Sequence, residues 1–64
     1  MTLGKRLLQL RKKNYYTQQM LGQKLNISAQ AISKWENDLS EPDLAMLRKL
    51  AELYEISLSV LIEF

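Results

Sequence analysis

The chain has 64 residues and a net charge of +2, and 47% of its residues are hydrophobic. A chain of this length holds one small core, so we expect a single domain over residues 1–64. Cysteine and histidine are both absent, which excludes disulfides, thiol chemistry and the common zinc ligands, and we expect no metal and no cofactor. No apolar run approaches the roughly 18 residues of a membrane span, and no signal peptide is recognisable, so we expect a cytoplasmic protein without membrane contact.

The charges are distributed unevenly along the chain. Residues 1–34 contain seven basic and no acidic side chains, whereas residues 35–64 contain two basic and seven acidic side chains, so the two halves carry +7 and −5. This asymmetry favours a basic face that binds a polyanion. The alternative is that Arg11, Lys12 and Lys13 only complement the C-terminal end of a helix.

The first predicted helix runs from about Thr2 to Lys13. Leu3, Leu7 and Leu10 recur at helical spacing and predict its inward face. Its polar side carries Lys5, Arg6 and Lys12, which are available either to a phosphate backbone or to water.

The stretch from Thr17 to Asn37 predicts two short helices joined by a tight turn. Thr17 and Ser28 are good N-cap residues, and each follows an apolar residue at the spacing of a hydrophobic staple. Asn26 lies at the end of the first of these helices and tolerates the left-handed conformation that a helix end often needs. Gly22 would let another helix approach closely. The sequence therefore predicts a helix-turn-helix.

The second helix of this unit presents a chemically informative outer face. Ile32 and Trp35 point inward, which leaves Ala29, Gln30, Ser33 and Lys34 outside. In the major groove of DNA, Gln pairs with adenine, Lys with guanine, and Ala contacts a thymine methyl group. The alternative is an ordinary solvated helix surface.

Two further helices are predicted in the C-terminal half. Asp43 is a plausible N-cap for a helix over residues 43–54, after a loop that ends at Pro42. The apolar stripe expected on that helix consists of Leu44, Leu47, Leu50, Ala51 and Tyr54. A last short helix opens at Ile56 and Ser57, with Leu58, Leu61 and Ile62 as inward candidates. Val60, Phe64 and one of Leu61 and Ile62 are expected to remain exposed, because this segment is too apolar to be wholly internal.

From Leu3 to about Ile62 the sequence resembles the lambda-repressor-like, Cro/C1-type helix-turn-helix family. The resemblance rests on four motifs in order: LxxLRKK, TQxxLGxKLNIS, ISKWEN and SEPDLxxLxKLAELYxIS. It implies an all-α, five-helix domain in which helices 2 and 3 form the helix-turn-helix and residues 28–36 enter the major groove.

The resemblance also implies roles for individual residues. The base-contacting positions of the family fall on Ala29, Gln30, Ser33 and Lys34, at the helix that Ser28 opens, and its phosphate-contacting positions fall on Gln18, Gln23 and Asn37. It implies a structural ion pair between Arg11 and Glu36. It further implies a homodimer through the last helix, for which we predict Val60, Leu61 and Phe64. The alternative for this tail is a frayed end, or a connection to an additional domain.

Three positions depart from the glycine that is common in the family: Tyr15, Asn26 and Asp38. Each is expected to adopt a positive φ, which costs Tyr15 about 1 kcal/mol or somewhat more. Alternatively, Asn14 takes the left-handed position and the turn shifts by one residue.

The expected function is a sequence-specific DNA-binding transcriptional regulator, and specifically a repressor, with double-stranded DNA as its partner. The alternative is a protein-interaction module on the same fold, such as an antitoxin-like or anti-repressor-binding domain. In that interpretation the apolar tail, Met20 and Met46 would engage another protein. An enzyme is not expected, because the chain has no histidine, cysteine or glycine-rich phosphate loop.

Overall fold

The computed structural model describes residues 1–64 and contains five helices and no strand. The helices are α1 (Leu3–Lys13), α2 (Gln18–Leu25), α3 (Ala29–Glu36), α4 (Leu44–Leu53) and α5 (Leu58–Ile62). They form one unit of 25 × 22 × 22 Å. The predicted all-α, five-helix fold is confirmed. None of the helices combines the length and the apolar character that a membrane span requires.

Every helix begins at a side chain that accepts a hydrogen bond from its first turn. The hydroxyl groups of Thr17 and Ser28 accept from the N–H groups of Met20 (3.0 Å) and Ala31 (3.1 Å). The carboxylate of Asp43 accepts from the N–H of Met46 (2.8 Å) in the same way. Such caps satisfy backbone donors that have no partner within the helix. The three predicted N-caps are therefore confirmed, and Thr2 and Ser57 cap α1 and α5.

Four helices end with a residue at positive φ, and none of the four is glycine. Tyr15, Asn26 and Asp38 have φ values of 63°, 59° and 57°, as predicted. Asn14 has a φ of −96° and does not take the left-handed position, so the alternative register of this turn is wrong. The fourth such residue, Glu55 after α4, was not predicted.

These four helix ends share one hydrogen-bond pattern. The residue after the positive-φ residue donates its N–H to the carbonyl five residues earlier, as in Tyr16 to Arg11 (3.1 Å) and Ile27 to Gly22 (2.9 Å). This is the Schellman motif, in which the apolar residue after the turn usually packs on the helix it closes. Tyr16, Ile27 and Ile56 pack against the core, whereas Leu39, after α3, is 76% exposed.

The core lies where all five helices converge. Its buried residues are Leu7, Leu10, Leu21, Ile32, Trp35, Leu50, Ala51, Tyr54 and Leu61. The predicted inward faces of α1 and α3 are confirmed, with Leu3 packed at the edge. Met46 packs against the core and is not an exposed partner contact, whereas Met20 is about half exposed.

Two apolar predictions in the C-terminal half are wrong. Leu44, expected in the core stripe of α4, is 55% exposed because it occupies the first position of the helix, beyond the edge of the core. Leu61 is fully buried at 0% exposure, which agrees with its prediction as an inward residue and contradicts its prediction at a dimer interface. Of Leu61 and Ile62, one of which was expected to remain exposed, it is Ile62 that is exposed. The exposed apolar residues at the C-terminal end are therefore Val60 and Ile62 in α5 and Phe64 after it.

Candidate nucleic-acid interface

Gly22 of α2 lies against the turn of the helix-turn-helix and allows the turn to pass close to the helix. A Cβ atom at this position would lie 2.7 Å from the carbonyl oxygen of Ile27 and 3.3 Å from the backbone nitrogen of Ala29. A side chain here would therefore push α3 away from α2. The predicted close approach at Gly22 is present, and the partner is the turn itself together with the first residue of α3.

A buried ion pair fixes the far end of α3. The guanidinium of Arg11 on α1 donates through Nε to Oε2 of Glu36 (2.6 Å) and through Nη2 to Oε1 (3.0 Å), and both side chains are largely buried. Its Nη1 donates to the carbonyl of Tyr16 (2.9 Å). The hydrogen bonds to Glu36 raise the pKa of Arg11 above its ordinary value, and the attraction between the two charges adds to this effect. The predicted pair is present in the structure.

The same carboxylate also holds the first residue of α2. The side-chain amide of Gln18 donates to Oε1 of Glu36 at 3.0 Å. Glu36 thus joins α1, α2 and α3 at one point. The pair with Arg11 was predicted, whereas the bond to Gln18, eighteen residues away along the chain, was not. One side-chain amide N–H of Gln18 remains free, as do the backbone N–H groups of Gln18 and Gln19, whereas Thr17 accepts from that of Met20.

The outward face of α3 is polar and accessible. Gln30 and Lys34, four residues apart, are both exposed, while Ala29 and Ser33 beside them are partly exposed. Lys34 is not engaged in an ion pair, since the pair of Arg11 and Glu36 is the only one in the domain. These side chains are free to contact an external partner.

The remaining predicted contact residues lie at the ends of the unit. Gln23 on α2 is exposed. The amide nitrogen of Asn37 donates to the carbonyl of Ser33 (2.8 Å), which orders it at the end of α3. The hydroxyl of Ser28 is occupied as the N-cap of α3. The structure therefore places the predicted set on α2, on α3 and on the residues that flank α3.

The carboxylate of Asp38 was not expected to have a partner. It accepts from the hydroxyl of Thr2 (2.7 Å) and from the backbone N–H of Gly4 (3.0 Å). A negative charge at the N-terminus of α1 is favourable because the helix dipole is positive there. Asp38, two residues beyond the end of α3, thus accepts from the first turn of α1. This contact is a physical reason for an aspartate at a position where glycine is common in the family that the sequence resembles.

Arg6 is placed differently from the expectation. Its guanidinium does not point freely into solvent but donates to the carbonyls of Leu61 (3.1 Å) and Val60 (2.9 Å). The sequence could not indicate this contact, because the acceptors are backbone atoms more than fifty residues away.

The five-helix fold and the exposed polar face of α3 define a helix-turn-helix domain of the repressor type. The chain belongs to the helix-turn-helix family, whose pattern it matches over residues 7–61. The predicted resemblance is confirmed.

Among individual proteins, the chain is similar to the HTH-type transcriptional regulator ImmR of Bacillus subtilis (strain 168). The two are 44% identical over 62 residues, which are 97% of this chain and 49% of ImmR. The chain therefore spans about half the length of this curated relative.

Two solved structures share the fold. One is the P22 c2 repressor in complex with synthetic operator 9T, with a TM-score of 0.86 and 32% identity over 98% of this chain and 96% of that one. The other is SinR, a master regulator for biofilm formation, in complex with DNA, with a TM-score of 0.85 and 25% identity over 97% and 100% of the two chains.

Proposed function

We propose that this protein is a sequence-specific DNA-binding transcriptional regulator that inserts α3 into the major groove. The observation that carries the proposal is the exposed face of α3, where Gln30 and Lys34 are free and the helix is fixed at both ends. The +7 charge of residues 1–34 supplies attraction to phosphates that does not depend on sequence. The P22 c2 repressor and SinR, which share the fold, are each described in complex with DNA.

The chemistry of the face assigns a role to each side chain. Lys34 donates to the acceptors of guanine, and Gln30 forms paired hydrogen bonds with adenine. Ala29 and Ser33 complete the base-contacting surface. The phosphate-contacting residues on either side of this surface are Gln18, Gln23 and Asn37, and Ser28 lies beside the DNA at the start of α3. The free N–H groups at the N-terminus of α2 help Gln18 to bind a phosphate.

We further propose that the regulator represses transcription and that it acts in the cytoplasm. An operator bound by such a domain becomes inaccessible to other proteins that need the same groove. The likeness to the P22 c2 repressor supports this direction of regulation. No catalytic activity forms part of the proposal.

A second copy of the chain is the partner proposed for the outer face of α5. Val60 and Ile62 in α5, and Phe64 two residues beyond it, lie within five residues of the chain and expose between 43% and 55% of their surface. Apolar surface of this kind favours burial against another protein. A two-fold dimer would present two α3 helices to half-sites about 34 Å apart.

The proposal is tested by selecting binding sites from a pool of random duplexes with the purified protein, at two salt concentrations. We expect a short palindromic consensus, bound well above a background that weakens steeply with salt. Weak binding without a consensus would contradict the proposal. In that case the interaction-module alternative would apply, and Met20 and the outer face of α5 would be its candidate contacts.

A further inference from the structure

The contact of Arg6 with α5 joins the first helix of the chain to the last. Nε of Arg6 donates to the carbonyl of Leu61 at 3.1 Å, and Nη2 donates to the carbonyl of Val60 at 2.9 Å. The planar guanidinium presents its donors in a fixed fork, so two adjacent carbonyls define its orientation. Arg6 therefore specifies the angle at which the end of α5 meets α1.

Helix α5 depends on such outside contacts for its position. It has five residues, which is too short for a helix to be stable by itself. The side chain of Leu61 anchors it in the core, and Ser57 caps its start. At its end, the carbonyl of Val60 also accepts from the N–H of Glu63 (3.3 Å), whereas the carbonyl of Leu61 is held by Arg6.

The same turn of α1 is attached to the end of α3. The carboxylate of Asp38 bonds to Thr2 and to the N–H of Gly4. Gly4 also lies against the carbonyl of Trp35, where a Cβ atom could not fit. Residues 2–6 thus contact α5 and the end of α3 directly. This single segment of α1 is enough to fix α5 relative to α3.

We propose that Arg6 is a positioning residue that fixes α5 relative to α3 and thereby sets the spacing of the two α3 helices in the homodimer. This inference rests on the proposed function, in which α3 enters DNA and α5 forms the two-fold interface. Arg6 acts through α5 and does not touch DNA. The preference of the protein for one half-site spacing then depends on the two hydrogen bonds that Arg6 makes.

The test compares Arg6→Met with Lys5→Met. Lys5 is the exposed neighbour of Arg6 on α1, so both variants lose one positive charge and only one loses the contact with α5. Affinity is measured for a duplex with one half-site, for the palindromic duplex, and for palindromes lengthened or shortened by one base pair. Sedimentation gives the dimer dissociation constant, and circular dichroism checks the fold.

We expect Arg6→Met to weaken binding to the palindrome at least tenfold and to reduce the discrimination between spacings. Its affinity for a single half-site should stay within about twofold of that of Lys5→Met, with the same salt dependence. A lower half-site affinity with a salt slope reduced by about 1 would identify Arg6 as a phosphate contact and overturn the inference. Equal effects of the two variants on the palindrome would also overturn it.

A second variant and the unaltered protein complete the test. If Arg6→Met does not fold, Arg6→Lys replaces it, because lysine keeps the charge but cannot hold two carbonyls with one planar group. Unchanged spacing discrimination in Arg6→Lys would overturn the inference. If the unaltered protein itself shows no dimer and no spacing preference, the proposed homodimer fails, and this outcome is distinct from a failure of Arg6 alone.

Discussion

The two glycines of this chain lie inside helices, where they permit close packing, and not at the positive-φ helix ends. At Gly4, a Cβ atom would lie 2.6 Å from Oδ1 of Asp38 and closer still to the carbonyl oxygen of Trp35. Backbone cannot give way as a flexible side chain can. The usual preference of a helix interior for alanine is therefore reversed at this position.

We expect Gly4→Ala to lower the free energy of unfolding by about 2 kcal/mol, although alanine in a helix normally gains about 0.5–1 kcal/mol over glycine. Urea denaturation measures the change. Gln9→Ala, at an exposed position of the same helix, is the control and should change stability by less than about 0.5 kcal/mol. An unchanged or raised stability for Gly4→Ala would contradict the close approach of α1 and α3.

Tyr54 is a buried tyrosine whose hydroxyl has no hydrogen-bond partner. Burial raises its pKa to about 12, and the charge of Glu36 acts in the same direction while Arg11 opposes it. A buried polar group without a partner costs stability, so its removal should be harmless. The ring itself packs near Tyr16, with centroids 6.3 Å apart.

We expect Tyr54→Phe to be as stable as the unaltered protein at pH 7, or up to about 1 kcal/mol more stable. The pKa is higher in the folded state, so the unfolded chain loses its proton first as the pH rises from 10 to 12 and the free energy of unfolding falls. Phenylalanine does not titrate, so Tyr54→Phe should not show this fall in the free energy of unfolding between pH 10 and pH 12. Denaturation at pH 7 and pH 11 measures both effects, with the exposed Tyr15→Phe as the control. A large loss of stability at pH 7 would reveal a partner for the hydroxyl.

At the residue scale, the sequence predicted the positive-φ positions that carry a known signature. Asn26 and Asp38 tolerate that conformation, and Tyr15 stands where the resembled family commonly has glycine. Glu55 is neither an Asn or Asp nor at a position where the resembled family commonly has glycine, so its positive φ was not predicted. Its conformation belongs to the Schellman motif after α4, in which Ile56 packs on the core. Contacts such as Asp38 with Gly4 were not predictable, since they depend on tertiary structure.

At the scale of elements, the N-caps predicted the starts of α2, α3 and α4, and the apolar periodicity predicted the inner faces of α1, α2 and α3. At α5 the pattern named Leu61 as an inward candidate but also as a dimer contact, and it left open whether Leu61 or Ile62 is exposed. A helix of five residues has little more than one turn, so its periodicity does not define a face. Only its contacts with Arg6 and the core define it.

Glu36 connects three helices, and its loss should therefore cost more than that of a surface carboxylate. We expect Glu36→Ala to lower the free energy of unfolding by roughly 3 kcal/mol, because it leaves the charge of Arg11 buried without a partner. Thermal denaturation of Glu36→Ala measures this change. Glu52→Ala, at an exposed site on α4, is the matched control and should have a melting temperature close to that of the unaltered protein.

The double variant Arg11→Met with Glu36→Leu extends this test. Apolar replacements of both partners leave no buried charge, so their combined cost should be smaller than the sum of the two single changes. Additive losses would mean that the two side chains do not form a coupled pair.

At the scale of the whole molecule, the unequal division of charge along the sequence is also a division among the helices. Five of the nine basic side chains lie on α1, one each on α2 and α3, and two on α4. The one acidic side chain in α1–α3, Glu36, is paired with Arg11. The face of α3 thus carries no uncompensated negative charge. The sequence motifs predicted the family and the fold, whereas the attachment of α5 and α3 to the first turn of α1 required the structure.

The central claim is that α3 reads base pairs, and Lys34→Ala tests it most directly. Binding of this variant is measured against the selected site, against sites changed at each base pair, and against a random duplex. Lys49→Ala on α4, outside the helix-turn-helix, loses the same charge and serves as the control. We expect Lys34→Ala to lose about 1–3 kcal/mol on the selected site and to become indifferent to one base pair, while its binding to random DNA matches that of the control. Equal losses on the selected and random duplexes would contradict the claim.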